Sequence, residues 1–251
     1  AAQVTAYPLR VSCGLRVNPE YSDVDTALYN PGSPGSRLGV SPDQLANHLP
    51  EGIEGLHFHT LCESDSYALE QLLQAFETHF GHWLPRLRWV NMGGGHLMTR
   101  KGYEVDHLIR LLRDFRKRNS VEVILEPGSA VAWQTGELIT TVLDVVENRS
   151  IRTAILDVSF TAHMPDTLEM PYRPKVRGAT EPGQDKWNCR LGGMSCLSGD
   201  FMTEYGFSQP LQPGDRLILE DMMHYTMVKT TTFNGVQHPA IGIWRENGTP
   251  E

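Results

Sequence analysis

Two histidines, His57 and His59, stand two residues apart in the apolar run GLHFHTLCES (55–64), with Cys62 just beyond them. On a β-strand, residues i and i+2 share a face. The pair could therefore ligate a metal, touch a cofactor, or pack inside a buried strand. No third ligand at a spacing typical of metal sites follows downstream, so the residues call for no metal. Three further stretches carry reactive residues where strands should end, the place where α/β folds put their sites. In VNMGGGH (90–96), three successive glycines free backbone N–H groups to approach an anion, as a phosphate requires. In ILEPGSA (124–130), Glu126 closes an apolar-leaning segment just before Pro127 and Gly128, where a carboxylate points into the mouth of a sheet. In LGGMSCLSGD (191–200), small residues surround Cys196 and Asp200, and a thiol exposed there can act as an acid or a nucleophile. Each stretch also has a plain structural reading: packed strand histidines, a tight turn, a loop salt bridge, an inert cysteine.

The elements that must position these residues alternate. Strands are expected over 11–18, 53–60, 87–94 and 121–128, and helices over 41–49, 66–84 and 103–119. Ser41 is a candidate N-cap. Val105, Leu108, Ile109, Leu112 and Phe115 recur at helical spacing. Strand–helix repetition points to parallel strands with helical crossovers. From about Ala130 onward, β-rich segments such as GELITTVLDVVEN, IRTAILDVS, DRLILEDM and AIGIWREN follow, with Pro- and Gly-bearing turns between them. The expectation is an α/β chain: part of a (β/α)8 TIM-type barrel over 1–140, then a mostly antiparallel β domain over 141–251. A whole barrel takes eight strand–helix units and about 250 residues by itself, and the first half holds only about half as many units.

Composition narrows the function. The chain has 251 residues, 40% of them hydrophobic and 21% charged, which suits a soluble globular protein. A net charge of −8 without a basic run argues against nucleic acid as a partner. No apolar segment approaches the roughly 20 residues that cross a bilayer, and no signal peptide is visible, so neither membrane nor export is expected. The scattered cysteines Cys13, Cys62, Cys189 and Cys196 suit reduced thiols in the cytoplasm.

Taken together and in this order, HFH, GGG, EPG, CLSGD and HYTMVKTTTFNG resemble the alanine-racemase-like, fold-type III pyridoxal-phosphate decarboxylases over about residues 14–239. SPGSRLGVSPDQL, DVSFTAHMPDTLEMPYRP and LGGMSCLSGD are most similar to the branch acting on carboxynorspermidine and carboxyspermidine in polyamine biosynthesis. The resemblance implies pyridoxal 5'-phosphate as cofactor and a homodimer that shares its sites across the interface. It implies that His59 stacks on the pyridine ring and that Glu126 faces the ring nitrogen, where a carboxylate keeps that nitrogen protonated. Gly93, Gly94 and Gly95 would hold the phosphate with Gly128 close by, and Tyr225 would reach it. Cys196, brought from the partner subunit, would return a proton to the substrate carbon. Asp166, Glu169, Tyr172 and Asp200 are the candidates for contacting a cationic substrate.

Three departures stand out. Thr60, Leu61 and Cys62 replace a Gly-Ser common in relatives, and Ser129 stands where many have arginine. Nothing matches the strand bearing the family's Schiff-base lysine, and Lys101, Lys117, Lys175, Lys186 and Lys229 all lie elsewhere. The chain is therefore expected to be the C-terminal part of a longer enzyme and inactive by itself. The alternatives are a diaminopimelate-type decarboxylase, for which Arg173 and Arg177 could meet the distal carboxylate, an arginine-type decarboxylase, or a noncatalytic binding homologue.

Overall fold

A computed structural model describes Val4 and residues 7–245, and the chain forms two compact units, Ala1–Val131 and Ala132–Glu251. The first strand of the second unit starts at Leu138.

The first unit runs β1 (Cys13–Arg16), α1 (Pro42–Leu45), β2 (Ile53–His57), α2 (Ser66–Phe80), β3 (Trp89–Asn91), α3 (Val105–Asn119), β4 (Glu122–Ile124) and the single turn α4 (Ser129–Ala132). The strands form one parallel sheet in sequence order, β1-β2-β3-β4. All are shorter than expected; β2 ends at His57, leaving His59 beyond it. α2 begins where the Asp65 carboxylate accepts the amides of Tyr67 and Ala68, both at 2.9 Å, satisfying two otherwise orphaned donors. Its apolar positions Leu69, Leu72, Leu73, Phe76 and Phe80 are buried against the sheet. On α3 only Leu108 and Phe115 of the expected face are fully buried, while Val105 and Ile109 are each 43% exposed. Phe58, immediately before His59, packs on Phe76 with ring centroids 4.7 Å apart. The core thus reaches directly under the segment that carries the histidines.

The second unit holds β5 (Leu138–Asn148), β6 (Ile151–Leu156), the short helices α5 (Phe160–His163) and α6 (Asp166–Glu169), β7 (Trp187–Gly192), β8 (Phe201–Phe207), β9 (Arg216–Leu219) and α7 (His224–Val228). Its five strands are ordered β8-β7-β6-β5-β9, antiparallel except for the β6–β7 pair. Arg149 and Ser150 both take positive φ, 48° and 68°, as a two-residue hairpin matched to strand twist demands. Inside, the Tyr205 hydroxyl donates to the Pro174 carbonyl at 2.7 Å, which lets a fully buried phenol meet its hydrogen-bonding need.

Candidate functional site

Register places the site of the first unit. Arg16 pairs with His57, His57 with Asn91, and Asn91 with Ile124, so the strand ends form one row. The ladder continues past them: Phe58 N–H donates to Asn91 O at 3.0 Å, Met92 N–H to Ile124 O at 2.9 Å and Glu126 N–H to Gly93 O at 2.8 Å. His59, Gly93 and Glu126 therefore form a second row two residues on, where period-two geometry turns them to the same side as the first.

The side chains converge accordingly. His57 Nε2 lies 3.9 Å, and His59 Nδ1 4.0 Å, from Glu126 Oε2. The two imidazoles meet edge to face, with centroids 6.0 Å apart. Burial, with the Arg16 guanidinium beside it, pushes the His59 pKa below its ordinary value against the pull of Glu126. Burial does the same at His57. Both rings are thus neutral at physiological pH, and His59, with its side chain 36% exposed, offers a neutral aromatic face to a ligand. Ligand atoms of His57, His59 and Glu126 all lie within 4.8 Å of one another, a grouping that could also hold a cation. The Arg16 charge beside them opposes that use.

Two contributors were not legible in the sequence. Arg16 donates to the His59 carbonyl at 3.2 Å. Asn91 donates through Nδ2 to Glu126 Oε1 at 2.7 Å and accepts the Gly93 amide through Oδ1 at 2.9 Å. A carboxylate only accepts and a backbone N–H only donates, which fixes the orientation of the amide. One side chain thus ties the carboxylate to the glycine turn.

The turn admits only glycine. Gly93 and Gly95 have φ of +68° and +85°, and a Cβ at Gly95 would sit 2.2 Å from the Leu61 carbonyl oxygen. At Gly93 it would press on His59 Cβ at 2.7 Å. Ser64 N–H donates to Gly95 O at 2.8 Å, stitching the loop after β2 to this turn. A small cleft beside it is lined by Glu63, Gly95, His96, Gly128 and Ser129. His96 is 1% exposed, and neither ring nitrogen finds a hydrogen-bond partner of good geometry among the described residues. Burial drives its pKa down to about 4 against a weak upward pull from the backbone of Met92 and Gly93. A backbone cradle closed to any Cβ, a half-exposed neutral ring and a held carboxylate fit the phosphate, ring face and ring nitrogen of a pyridoxal phosphate.

In the second unit, Tyr225 stands on α7 and is 55% exposed. Its neighbour Thr226 donates to Asp166 Oδ2 at 3.1 Å, and the Tyr172 hydroxyl donates to the same oxygen at 2.8 Å. Asp166 is 8% exposed, and its Oδ1 is buried without a hydrogen-bond partner among the described residues. Glu169 pairs with Lys229. Cys196 is exposed, whereas Asp200 is 4% exposed and bonded within its own unit. Arg173 pairs with Glu181 and lies over the Tyr205 ring, and Arg177 pairs with Glu137 and Glu220. Both arginines that could have met a distal carboxylate are thus already engaged.

Residues 28–223 match the family model of the pyridoxal-dependent decarboxylases, C-terminal sheet domain, and the chain belongs to that family. Among curated relatives it is 60% identical over 239 residues, 95% of this chain, to the carboxyaminopropylagmatine decarboxylase of Synechocystis. It is 45% identical, over 91% of this chain, to the carboxynorspermidine/carboxyspermidine decarboxylase of Campylobacter jejuni. It spans 62% of the length of each. The crystal structure of the Campylobacter jejuni carboxynorspermidine decarboxylase complexed with norspermidine superposes with a TM-score of 0.86 at 40% identity, over 100% of this chain and 68% of that one. The arginine decarboxylase of Paramecium bursaria Chlorella virus shares the fold, with a TM-score of 0.73 at 19% identity over 94% of this chain and 67% of that one. No helix among the described residues is long and apolar enough to cross a membrane.

Proposed function

We propose that this protein carries out pyridoxal-phosphate-dependent decarboxylation of a carboxylated polyamine, carboxynorspermidine or carboxyspermidine, in polyamine biosynthesis. The observation that carries the reading is the convergence of His59, Glu126 and the glycine turn on two adjacent rows of one parallel sheet. The bound cofactor supplies an electron sink for the charge left on the substrate carbon as CO₂ departs. Amides of Gly94 and Gly95, in the turn whose Gly93 N–H is held by Asn91, would hold its phosphate, His59 would cover the ring face, and Glu126, also held by Asn91, would keep a proton on the ring nitrogen. Tyr225 adds a hydroxyl to the phosphate, and the Cys196 thiol returns a proton to the substrate carbon. Asp166, whose Oδ1 lacks a hydrogen-bond partner among the described residues, is the acceptor for a substrate ammonium group, with Tyr172 beside it, and Glu169 joins them only where the substrate cation displaces Lys229. The working form in this reading is a cytoplasmic homodimer, with Cys196 brought to the site from the other copy.

The 60% identity to the Synechocystis enzyme favours a second substrate, carboxyaminopropylagmatine, whose guanidinium end also calls for acceptors rather than cations. Engagement of Arg173 and Arg177 by carboxylates supports both over a diaminopimelate-type substrate. The test is a product assay on the protein expressed from its complete gene with pyridoxal phosphate and each carboxylated amine. Formation of norspermidine, spermidine or aminopropylagmatine, abolished in Glu126→Ala, is expected. Turnover of diaminopimelate alone, or no cofactor-dependent product from any of the amines, overturns the reading.

A further inference from the structure

We infer that Asp200 is the positioning residue that fixes the loop presenting Cys196, an inference that rests on the proposed role of that thiol. The loop runs from the end of β7 at Gly192 to the start of β8 at Phe201. Its mouth is closed by backbone: Gly193 N–H donates to Asp200 O at 2.7 Å, and Asp200 N–H donates to Leu197 O at 2.9 Å. The carboxylate is 4% exposed and lies inside the loop. Oδ2 accepts from Ser159 Oγ at 2.9 Å and from the Ser195 amide at 3.1 Å, and Oδ1 accepts the Thr161 amide at 3.0 Å. Met194 N–H also donates to Val158 O at 3.0 Å. The residue before Cys196 is thereby tied to the segment that enters α5, while Cys196 itself stays exposed. Gly193 belongs to the same arrangement, since a Cβ there would meet Asp200 Oδ2 at 2.4 Å.

Both carboxylate oxygens face backbone N–H groups, so an amide in their place must turn its own N–H₂ against one of them. Asp200→Asn therefore keeps the shape and loses either the Thr161 tether or the Ser195 tether. The consequence falls on where the thiol points, not on substrate contact.

The experiment uses the full protein with cofactor bound and follows iodoacetamide alkylation of Cys196 by peptide mass, alongside kcat and KM. Asp200→Asn is expected to change the alkylation rate at least about fivefold. It should also lower kcat, by up to roughly 10²-fold for a misplacement near 1 Å, with KM held within about twofold because the substrate contacts remain. Alkylation at the wild-type rate in folded Asp200→Asn overturns the inference. If that variant does not fold, Ser159→Ala decides: it removes one donor to Asp200 together with the acceptor for the Ala162 amide, a smaller change in the alkylation rate is expected, and a wild-type rate overturns the inference. Full activity in Cys196→Ala would instead sink the proton-donor reading, and alkylation of Asp200→Asn would still report on the loop.

Discussion

Acid should loosen the Gly93–Gly95 turn, through His96. The ring is 1% exposed beneath Gly93–Gly95, and its pKa is driven from 6.5 to about 4 by burial. A histidine held neutral when folded takes up its proton on unfolding, so its penalty is absent above pH 6.5 and grows as pH falls toward 4. The full difference, about 2.5 pK units, corresponds to about 3 kcal/mol, of which about 2 kcal/mol is felt at pH 5. His57, His59 and His163 are shifted the same way by burial, so the whole protein loses more than this. Urea unfolding of wild type and His96→Phe at pH 8 and pH 5 isolates the part due to His96. Wild type should lose about 2 kcal/mol more between the two pH values than the variant does. Equal losses in the two proteins, or direct titration of His96 near pH 6.5 in the folded state, would refute the reasoning.

Asn91→Ala removes both the support of Glu126 and the tether of Gly93, which costs about 1–3 kcal/mol. Pyridoxal phosphate should bind roughly tenfold or more weakly, measured by fluorescence titration, and an unchanged Kd would show that Glu126 needs no support. Phe76→Ala empties the contact with Phe58 and Phe115. It should destabilise the first unit by about 3–5 kcal/mol in chemical denaturation, and a cost below 1 kcal/mol, read in the same melts, would mean that this core collapses freely.

What could be read from the sequence was what local chemistry dictates. Three glycines in a row announce backbone that other residues resist, and Gly93 and Gly95 do take positive φ. Periodicity located α2 and α3, and the family resemblance picked out His59 and Glu126, which the sheet brings within 4.0 Å. Arg16 and Asn91 escaped because each looks ordinary alone: an arginine in an early strand and an asparagine before a turn. Their roles come from parallel register, which aligns residues 16, 57 and 91 across three strands. Placing four adjacent parallel strands side by side and reading their last residues as a row would have found both. Asp200 was legible as a member of the cysteine loop, yet its burial depends on Ser159 and Thr161, about forty residues away in the chain. Such a long-range arrangement leaves no trace in local patterning.

The account stands most directly on the cofactor site, and titration of pyridoxal 5'-phosphate into the protein, followed by fluorescence, tests it. Saturable binding is expected, competed by inorganic phosphate and weakened roughly tenfold or more by each of His59→Ala, Glu126→Ala and Gly95→Ala, with circular dichroism confirming that each variant is folded. Absence of saturable binding to the folded protein, or one unchanged Kd across all three variants, would contradict it.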